Sequence, residues 1–325
     1  MSTAAAHHHE SGGLTPEQVE TFHRDGYLIV PQALTPSTVA ACLAETHRLL
    51  DSFSLEDHPM TRFSTGQEGA EHVGDDYFLT SGDKIRFFFE EDAFGPDGKL
   101  NKPKARAVNK IGHYLHELSA PFRAITRPSP DVSETPQPVR PAAVARALGF
   151  RDPRCLQSMV ICKQPEIGGA VPPHQDSTFL YTDPPSAVGF WYALEDATLA
   201  NGCLSFLPGS HRWAPIRQRL VRRQQGGVAV GTEMVANEGT QFPPGGEYAE
   251  KGDQSTEEEY VPGEVKAGDL VLIHGNLLHK SEKNTSQKGR IIYTFHVIEQ
   301  DGTKYDERNW LQPPEQGFTR LYASS

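Results

Sequence analysis

The sequence predicts a mainly β protein of the sandwich or jelly-roll class, with helices before the sheet. From Leu156 onward the chain has repeated short segments rich in β-branched and aromatic residues, separated by turn signals. Short strands that follow one another without intervening helices are typical of a jelly roll. The predicted strands are Gln157–Gln164, Val188–Leu194, Gly202–Leu207, Asp269–His274 and Arg290–Glu299.

The first part of the chain carries helix signals. Thr15, Pro16 and Gln18 have the pattern of an N-cap, a proline at the first helical position and a capping-box partner. This helix is expected to end at Asp25-Gly26, before a strand at Tyr27–Val30. A second helix begins at Thr35-Pro36, and its expected buried face holds Val39, Cys42, Leu43, Thr46 and Leu50.

Further along, residues 55–82 are expected to form a loop, Ile85–Phe89 a strand and His113–Ile125 a helix. Residues 1–13 have the composition of a disordered tail, which leaves 14–325 as a single domain. The proline-rich stretch 127–141 predicts a surface insertion. A second insertion, 224–262, is rich in Gly, Pro and Glu and is expected to be either a lid or a disordered segment.

Composition narrows the function classes. A formal net charge of -11 over 325 residues disfavours non-specific nucleic-acid binding. A mean hydropathy of -0.51 and the lack of a long apolar run argue against a membrane protein. The four cysteines have no C-x-x-C spacing, as expected of reduced thiols in an intracellular protein. No secretory leader is seen, and Ala323-Ser324-Ser325 is not a peroxisomal signal, so a cytoplasmic location is expected.

One short segment is strongly basic. Its five arginines are Arg212, Arg217, Arg219, Arg222 and Arg223. A solvated loop explains such a cluster, and the alternative is a site that receives an anionic group of a small-molecule substrate. Nothing in the sequence indicates an oligomeric state.

His174-Gln175-Asp176 is the most informative motif. Alternate residues of a strand point to one face, so the first and third side chains can meet the same metal ion. Two imidazoles and one carboxylate on one side of an ion are the ligand set of non-haem Fe(II) oxygenases, and they leave the other side open. The alternative is a surface His and Asp beside a turn, since short motifs recur by chance.

Three histidines could complete the ligand set. His211 follows a strand within a turn, where a structural hydrogen bond is expected. His274 is in phase with leucines of its strand, which favours a packed position. His279 is preferred because Ser281 shares its face and Arg290 begins the next strand.

Arg290 is expected to point into the barrel, on one face with Ile292 and Thr294. A buried guanidinium needs a partner, and a carboxylate satisfies it with two charge-assisted hydrogen bonds. The alternative is a salt bridge at the surface end of the strand.

At these residues the sequence resembles the phytanoyl-CoA dioxygenase family of Fe(II)/2-oxoglutarate oxygenases, from about Leu14 to Tyr322. Among the stretches that carry the resemblance are Phe22–Tyr27, Ser81–Glu90, Asn109–His113, Gln157–Met159, Lys163–Pro165, Pro173–Asp176, Glu195–Thr198, Pro208–His211, Leu272–Gly275, His279–Ser281, Tyr293–His296 and Asn309–Pro313.

The resemblance implies a double-stranded β-helix preceded by helices. It implies that His174, Asp176 and His279 bind Fe(II) and that Arg290 and Ser281 hold the distal carboxylate of 2-oxoglutarate. The other residues that it implies in the cosubstrate pocket are Lys110, Met159 and Trp191.

The chemistry implied is hydroxylation of a substrate coupled to decarboxylation of 2-oxoglutarate to succinate and CO2, with dioxygen as a second cosubstrate and ascorbate as a candidate reductant. Related halogenases lack the carboxylate ligand, whereas Asp176 is present here. Two rivals stay open, a binding or sensing protein that oxidises nothing and a zinc-dependent hydrolase on a similar barrel.

Overall fold

Helices form in the first half of the chain where capping signals predict them. A computed structural model describes residues 12–64, 74–127, 137–245 and 259–322. Thr15 caps α1 with Gln18 as its partner, and Gly26 ends it in the left-handed region, as predicted. The helices are α1 Pro16–Asp25, α2 Pro36–Ser52, α3 Asp76–Leu79, α4 Leu115–Leu118, α5 Ala120–Thr126 and α6 Pro141–Ala147.

The predicted buried face of α2 is largely confirmed. Val39, Cys42, Thr46 and Leu50 are buried, whereas Leu43 is only half-buried. The loop predicted over 55–82 contains α3, whose first turn is capped by Asp75.

The single helix predicted over His113–Ile125 is wrong. His113 ends a strand, Val108–His113, and two short helices follow it. Pro121 explains the break, because it has no N–H for the helix and its ring would clash with the carbonyl four residues earlier. Ser119 between the two helices is accordingly extended.

The second half of the chain is built from strands, several of them longer or shorter than predicted. Arg290–Glu299 has the predicted bounds. The strands are β1 Tyr27–Val30, β2 Ile85–Phe89, β3 Val108–His113, β4 Pro153–Lys163, β5 Val171–His174, β6 Thr182–Asp183, β7 Val188–Ala193, β8 Leu204–Phe206, β9 Gln218–Gln225, β10 Val228–Ala236, β11 Val261–Gly263, β12 Leu270–His274, β13 His279–Ser281, β14 Arg290–Glu299, β15 Lys304–Tyr305 and β16 Thr319–Arg320.

Two antiparallel sheets face each other. The larger has the order β1-β12-β7-β14-β4-β3-β2, with β16 also paired to β4, and the smaller has the order β11-β8-β13-β5. Apart from the consecutive strands β2, β3 and β4, neighbours in the two sheets are not consecutive in the sequence, as the crossing connections of a jelly roll require. The sheets place the carboxyl end of β5 beside β13, where the site described below lies.

Both faces of the larger sheet are covered, so the residues of its central strands are almost all buried. Tyr293 and Phe295 of β14 pack on one face with residues of the helices, such as Phe22 and Phe122. Ile292 points to the other face and packs with residues of the smaller sheet, including Leu204 and Phe206. Continuous burial on both faces explains why the strand pattern is a hydrophobic run and not an alternation.

The expectation of an irregular excursion over 224–262 is wrong for its first part. Residues 228–236 form β10, which pairs with β9 in a hairpin. Gly226 and Gly227, with φ of 59° and 82°, supply the two positive φ angles that a tight two-residue hairpin turn favours.

Parts of the predicted tail and insertions lie outside the described residues, namely 1–11, 128–136 and 246–258. The tail, the lid-or-disorder alternatives and the single-domain organisation stay predictions. Among the helices that are described, none has the length and apolar character needed to cross a membrane.

Candidate functional site

His174 and Asp176 lie on one side of the chain, but not within one strand. β5 ends at His174, and Asp176 begins a short 3-10 turn. The side chains of His174 and Asp176 still point to the same side because Gln175 between them is extended, with φ -122° and ψ 128°. The Gln175 side chain points away and donates to the carbonyls of Ala214 at 2.9 Å and Asn276 at 2.7 Å.

His279 reaches the same place through strand pairing. β13 runs antiparallel to β5, and His279 is directly opposite His174. The Asp176 Oδ1 atom lies 3.7 Å from His174 Nε2 and 3.8 Å from His279 Nε2. Bonds of about 2.1 Å to one ion limit two ligand atoms to a separation of about 4.2 Å, so both distances fit a shared metal.

The two histidines are oriented for metal binding by backbone carbonyls. His174 Nδ1 is 3.0 Å from the Pro172 oxygen, and His279 Nδ1 is 3.0 Å from the Leu277 oxygen. A carbonyl only accepts, so each Nδ1 carries the hydrogen and each Nε2 keeps a lone pair for a metal. Burial and the neighbouring His279 lower the pKa of His174 to about 4, which keeps it neutral.

Asp176 has a further neighbour, His296, which was not among the predicted site residues. His296 Nε2 lies 3.1 Å from Asp176 Oδ2, on the side away from the two predicted ligands. Burial alone would raise the pKa of Asp176, but His296 and His279 hold it below its ordinary range, so the group is a carboxylate. Extending the alternation of Arg290, Ile292 and Thr294 by one step would have identified His296.

The two rejected histidines lie outside this group of three. His274 packs against His211 with ring centroids 4.8 Å apart, and its Nδ1 accepts from the Asn276 N–H at 3.0 Å. Burial lowers the pKa of His274 to about 3. His211 is held through Nε2, 3.1 Å from the His23 oxygen, consistent with a structural role.

A cavity of about 390 Å³ between the two sheets contains the group of three. All eight predicted site residues line it: His174, Asp176 and His279, together with Lys110, Met159, Trp191, Ser281 and Arg290. Strands β3, β4, β5, β7, β13 and β14 contribute seven of these side chains and the turn after β5 contributes Asp176, so the sheet topology brings them together.

Arg290 lies inside the protein and not at a surface salt bridge. Its side chain is 3% exposed, its Nη1 donates to the Gly202 carbonyl at 2.6 Å, and its guanidinium lies 5.2 Å from the centre of the Trp191 ring. Nε has no hydrogen-bond partner within the described ranges. Burial lowers the pKa of Arg290 to about 10, so the group remains a cation at neutral pH, and no carboxylate among the described residues forms an ion pair with it.

Lys163 is a second buried cation that the sequence argument did not select. It is 3% exposed and stands opposite Arg290 in the β4–β14 pairing. Burial, and then the Arg290 charge, lower its pKa to about 7. Gln157, Met159 and Lys163 line the cavity at alternate positions of β4, so strand periodicity was the available signal.

Lys110 faces the cavity beside a buried acid. Its Nζ lies 3.4 Å from the centre of the Phe63 ring, and burial lowers its pKa to about 7 against the opposing effects of Glu90 and Asp176. Burial raises the pKa of Glu90 to about 7, and its Oε2 accepts from the Gly169 N–H at 3.2 Å. Glu90 follows a strand end, where no sequence pattern marked it.

The arginine-rich segment is only partly the solvated loop expected, because Arg212, Arg217 and Arg223 are exposed whereas Arg219 is buried and Arg222 is half-buried. It runs into β9, where Arg219 is buried against the Tyr181 ring and forms an ion pair with Asp306. Arg222 donates to the carbonyls of Trp310 at 2.7 Å and Leu79 at 2.9 Å. These internal contacts stabilise the fold, although Arg219 Nε has no hydrogen-bond partner among the described residues.

Removing Asp306 should therefore destabilise the protein. Asp306→Ala leaves Arg219 buried without its counter-charge, and we expect the free energy of unfolding to fall by about 3 kcal/mol. Arg308→Ala is the matched control, because Arg308 is exposed and its pair with Asp306 is worth less than about 1 kcal/mol. Equal losses from the two variants in urea titrations would contradict this assignment.

Comparison with known proteins places this geometry in a family. A family model described as phytanoyl-CoA dioxygenase (PhyH) matches residues 22–292. A phytanoyl-CoA dioxygenase of Arabidopsis thaliana is 41% identical over 302 residues, covering 93% of this chain and 95% of the plant protein. Phytanoyl-CoA dioxygenase domain-containing protein 1 of Bos taurus is 42% identical over 313 residues, covering 95% and 99%. The motifs quoted above predict a resemblance to this second protein, and the match confirms it.

Solved structures share the fold at lower identity. The non-haem alpha-ketoglutarate-dependent epimerase SnoN from nogalamycin biosynthesis aligns with a TM-score of 0.55 and 16% identity, over 95% of this chain and 96% of SnoN. EctD from S. alaskensis, solved with 2-oxoglutarate and 5-hydroxyectoine, aligns with a TM-score of 0.52 and 18% identity, over 89% and 77%.

The fold shared with these oxygenases confirms the predicted class, a mainly β jelly-roll core with flanking helices. The family model spans most of the chain, and relatives of more than 40% identity match it along almost its whole length. The chain belongs to the phytanoyl-CoA dioxygenase family.

Proposed function

We propose that the protein is an Fe(II)- and 2-oxoglutarate-dependent dioxygenase that hydroxylates a small organic substrate. One observation carries the proposal. A His-Asp-His group with metal-binding geometry shares one cavity with a buried arginine that has a spare N–H donor.

The donor set fits iron. Two neutral imidazole nitrogens and a carboxylate oxygen, from His174, His279 and Asp176, suit Fe(II) and occupy one side of the ion. Bound iron would supply the oxidation of a C–H bond by dioxygen, coupled to conversion of 2-oxoglutarate to succinate and CO2. The protein's part is to hold the metal, with His296 beside Asp176 keeping that ligand ionised and in place.

The charge of the cavity fits a dicarboxylate. Arg290, Lys163 and Lys110 bring buried positive charge to the walls, and Glu90 is a buried acid among them whose own pKa is raised. A desolvated excess of cations favours a dianionic ligand, since burial of unpaired charge is costly. We assign the distal carboxylate of 2-oxoglutarate to Arg290 and Ser281.

The other three predicted pocket residues are Lys110, Met159 and Trp191. They would line the space between the metal and the carboxylate clamp, which is formed by Arg290 and Ser281. Met159 and Trp191 present apolar surface, and Trp191 lies against the Arg290 guanidinium. Apolar walls exclude water, which strengthens the charged contacts inside. Lys110, which experiences the Asp176 charge, would contact the ligand on the metal side.

Hydroxylation is favoured over halogenation because Asp176 fills the ligand position that a halide would need. The substrate is proposed to be a small molecule, with dioxygen as cosubstrate and ascorbate as the reductant that maintains Fe(II). An intracellular, cytoplasmic location is supported by four free cysteines, Cys42, Cys155, Cys162 and Cys203, all of them buried.

The decisive experiment measures the release of succinate from 2-oxoglutarate. The protein is purified and loaded with Fe(II) in the absence of oxygen, and oxygen is then admitted to start the reaction. We expect turnover with Fe(II) and none with Zn(II). If the protein instead hydrolysed a substrate only when loaded with Zn(II), the hydrolase alternative would be favoured. A protein that binds Fe(II) and 2-oxoglutarate but produces no succinate would support the sensing alternative.

Arg290→Lys should raise the KM for 2-oxoglutarate far more than it changes iron content. Lysine keeps the charge but lacks the planar fork that matches a carboxylate, so a charge-assisted contact of about 1–3 kcal/mol is lost, or roughly 5- to 150-fold in KM. Steady-state kinetics and metal analysis measure the two quantities. An unchanged KM with wild-type iron would show that the cosubstrate carboxylate is held elsewhere.

A further inference from the structure

Lys163 lies at the end of the cavity where the proposed carboxylate clamp is built. Its Nζ donates to Ser281 Oγ at 2.8 Å and to the Glu282 carbonyl. It stands directly opposite Arg290 across the β4–β14 pairing. Three polar side chains from three strands, Lys163, Ser281 and Arg290, therefore converge at one point of the wall.

The direction of the Lys163–Ser281 hydrogen bond determines what Ser281 can do. In its ammonium form Lys163 only donates, so Ser281 Oγ then accepts, and a bound anion would favour that form. The hydroxyl hydrogen is then left to donate to a second acceptor. Arg290 also has a spare donor. Its Nη1 donates to the Gly202 carbonyl, whereas its Nε has no hydrogen-bond partner among the residues that are described. Both groups present donors at a place where a carboxylate would accept them.

Close backbone approach keeps the ammonium at this position. A Cβ atom on Gly168 would lie 2.5 Å from Lys163 Cγ, and one on Gly202 would lie 2.9 Å from Lys163 Cδ. The lysine stem thus passes between two glycines that leave no room for a side chain. A lysine confined in this way has few alternative rotamers, so its Nζ contact with Ser281 is preorganised.

The local charges explain why an anion is needed. Two cations, Lys163 and Arg290, are buried as neighbours, and each is desolvated. Glu282 accepts from Lys163 through its backbone oxygen, whereas its carboxylate is exposed, pairs with Lys280 and acts on Lys163 only as a more distant charge. Glu90 is the buried acid near this end. A bound carboxylate would neutralise the repulsion between the two cations.

We propose that Lys163 is a positioning residue for the distal carboxylate of 2-oxoglutarate. It orients the Ser281 hydroxyl toward this carboxylate, and it adds a second buried positive charge beside that of Arg290. The inference rests on the proposed function, in which 2-oxoglutarate is the cosubstrate. It adds a third group to the predicted pair of Arg290 and Ser281.

The experiment measures ligand binding to the Mn(II)-loaded protein by isothermal titration calorimetry, without turnover. The two probes are 2-oxoglutarate and 2-oxobutyrate, which has the same 2-oxo acid end but no distal carboxylate. Lys163→Met, which keeps the stem without the charge, should raise the Kd for 2-oxoglutarate about 10- to 100-fold. The Kd for 2-oxobutyrate should change less than about twofold, because this ligand does not reach the clamp.

A double-mutant cycle with Ser281→Ala tests the route through the hydroxyl. Because part of the Lys163 effect passes through Ser281, the double variant should bind 2-oxoglutarate more tightly than the product of the two single effects predicts. Lys283→Met is the matched charge control, since Lys283 lines the cavity but is exposed and paired with Asp92. We expect its Kd to lie within about threefold of wild type.

The outcomes separate this inference from the proposed function. A wild-type protein that does not bind 2-oxoglutarate contradicts the proposed function itself. With wild-type binding intact, three results overturn the role of Lys163: an unchanged Kd in Lys163→Met, equal weakening for both probes, or fully additive effects in the double variant. If Lys163→Met does not fold, as judged by circular dichroism, Lys163→Gln is measured instead and must show the same selectivity for the dicarboxylate.

Discussion

Replacing Asp176 with alanine should abolish succinate formation from 2-oxoglutarate and leave the fold intact. The carboxylate is the one oxygen donor of the group of three, and its Oδ1 lies within 4 Å of both histidine nitrogens. Loss of an outer partner of a metal ligand costs about 10- to 100-fold, so loss of the ligand itself should cost more than 100-fold. The side chain lines the cavity and belongs to none of the apolar clusters, so its removal creates no cavity in the apolar core.

The measurement is the rate of succinate release, with the thermal unfolding midpoint as the test of folding. Asp196→Ala is the control, because this aspartate is exposed and pairs with Lys266 away from the cavity. We expect near-normal turnover from the control. Near-normal succinate from a folded, iron-loaded Asp176→Ala protein would rule out the metal assignment.

We expect His279→Ala to lose metal and His274→Ala to retain it. His279 Nε2 faces Asp176, and its Nδ1 is held by the Leu277 oxygen in the tautomer that a metal requires. His274 packs against His211, and its Nδ1 is occupied by the Asn276 N–H. Its loss should lower the free energy of unfolding, by about 1–3 kcal/mol, because a buried ring and a hydrogen bond are removed.

Metal content after anaerobic loading and dialysis separates the two variants. We expect His279→Ala to retain little iron and His274→Ala to retain a wild-type amount with a lower unfolding midpoint. The reverse pattern would show that His274 is the third ligand. Loss of iron from both variants to the same extent would point to a general disruption of the sheet and not to a specific ligand.

Local signals explain why some elements were predictable. The Thr15, Pro16 and Gln18 pattern acts within one turn of helix, and α1 begins and ends as predicted. β14 has its predicted bounds, because a run of β-branched and aromatic residues fits a strand whose two faces are both buried. In both cases the deciding interactions lie within a few residues of one another.

Other elements depended on partners that local patterns do not reveal. The His113–Ile125 helix failed because β3 pairs with β4, about fifty residues later, and the strand extends to His113. β10 was not predicted because nearly all of its residues are half-exposed or exposed. The strand forms through pairing with β9 and not through burial. Arg219 was expected in solvent, and its burial depends on Asp306, almost ninety residues away.

The sequence by itself determined the jelly-roll class, the caps of the first helices and the alternation that places residues of β4 and β14 on one face. These follow from backbone geometry, which repeats every two residues in a strand and every 3.6 in a helix. Only the tertiary structure decided that His279 stands opposite His174 and that His296 approaches Asp176. It also decided that Lys163 and Arg290 share one end of the cavity. The reason is that these contacts join strands far apart in the chain, and register between distant strands is set by the packing of the whole sheet and not by any local pattern.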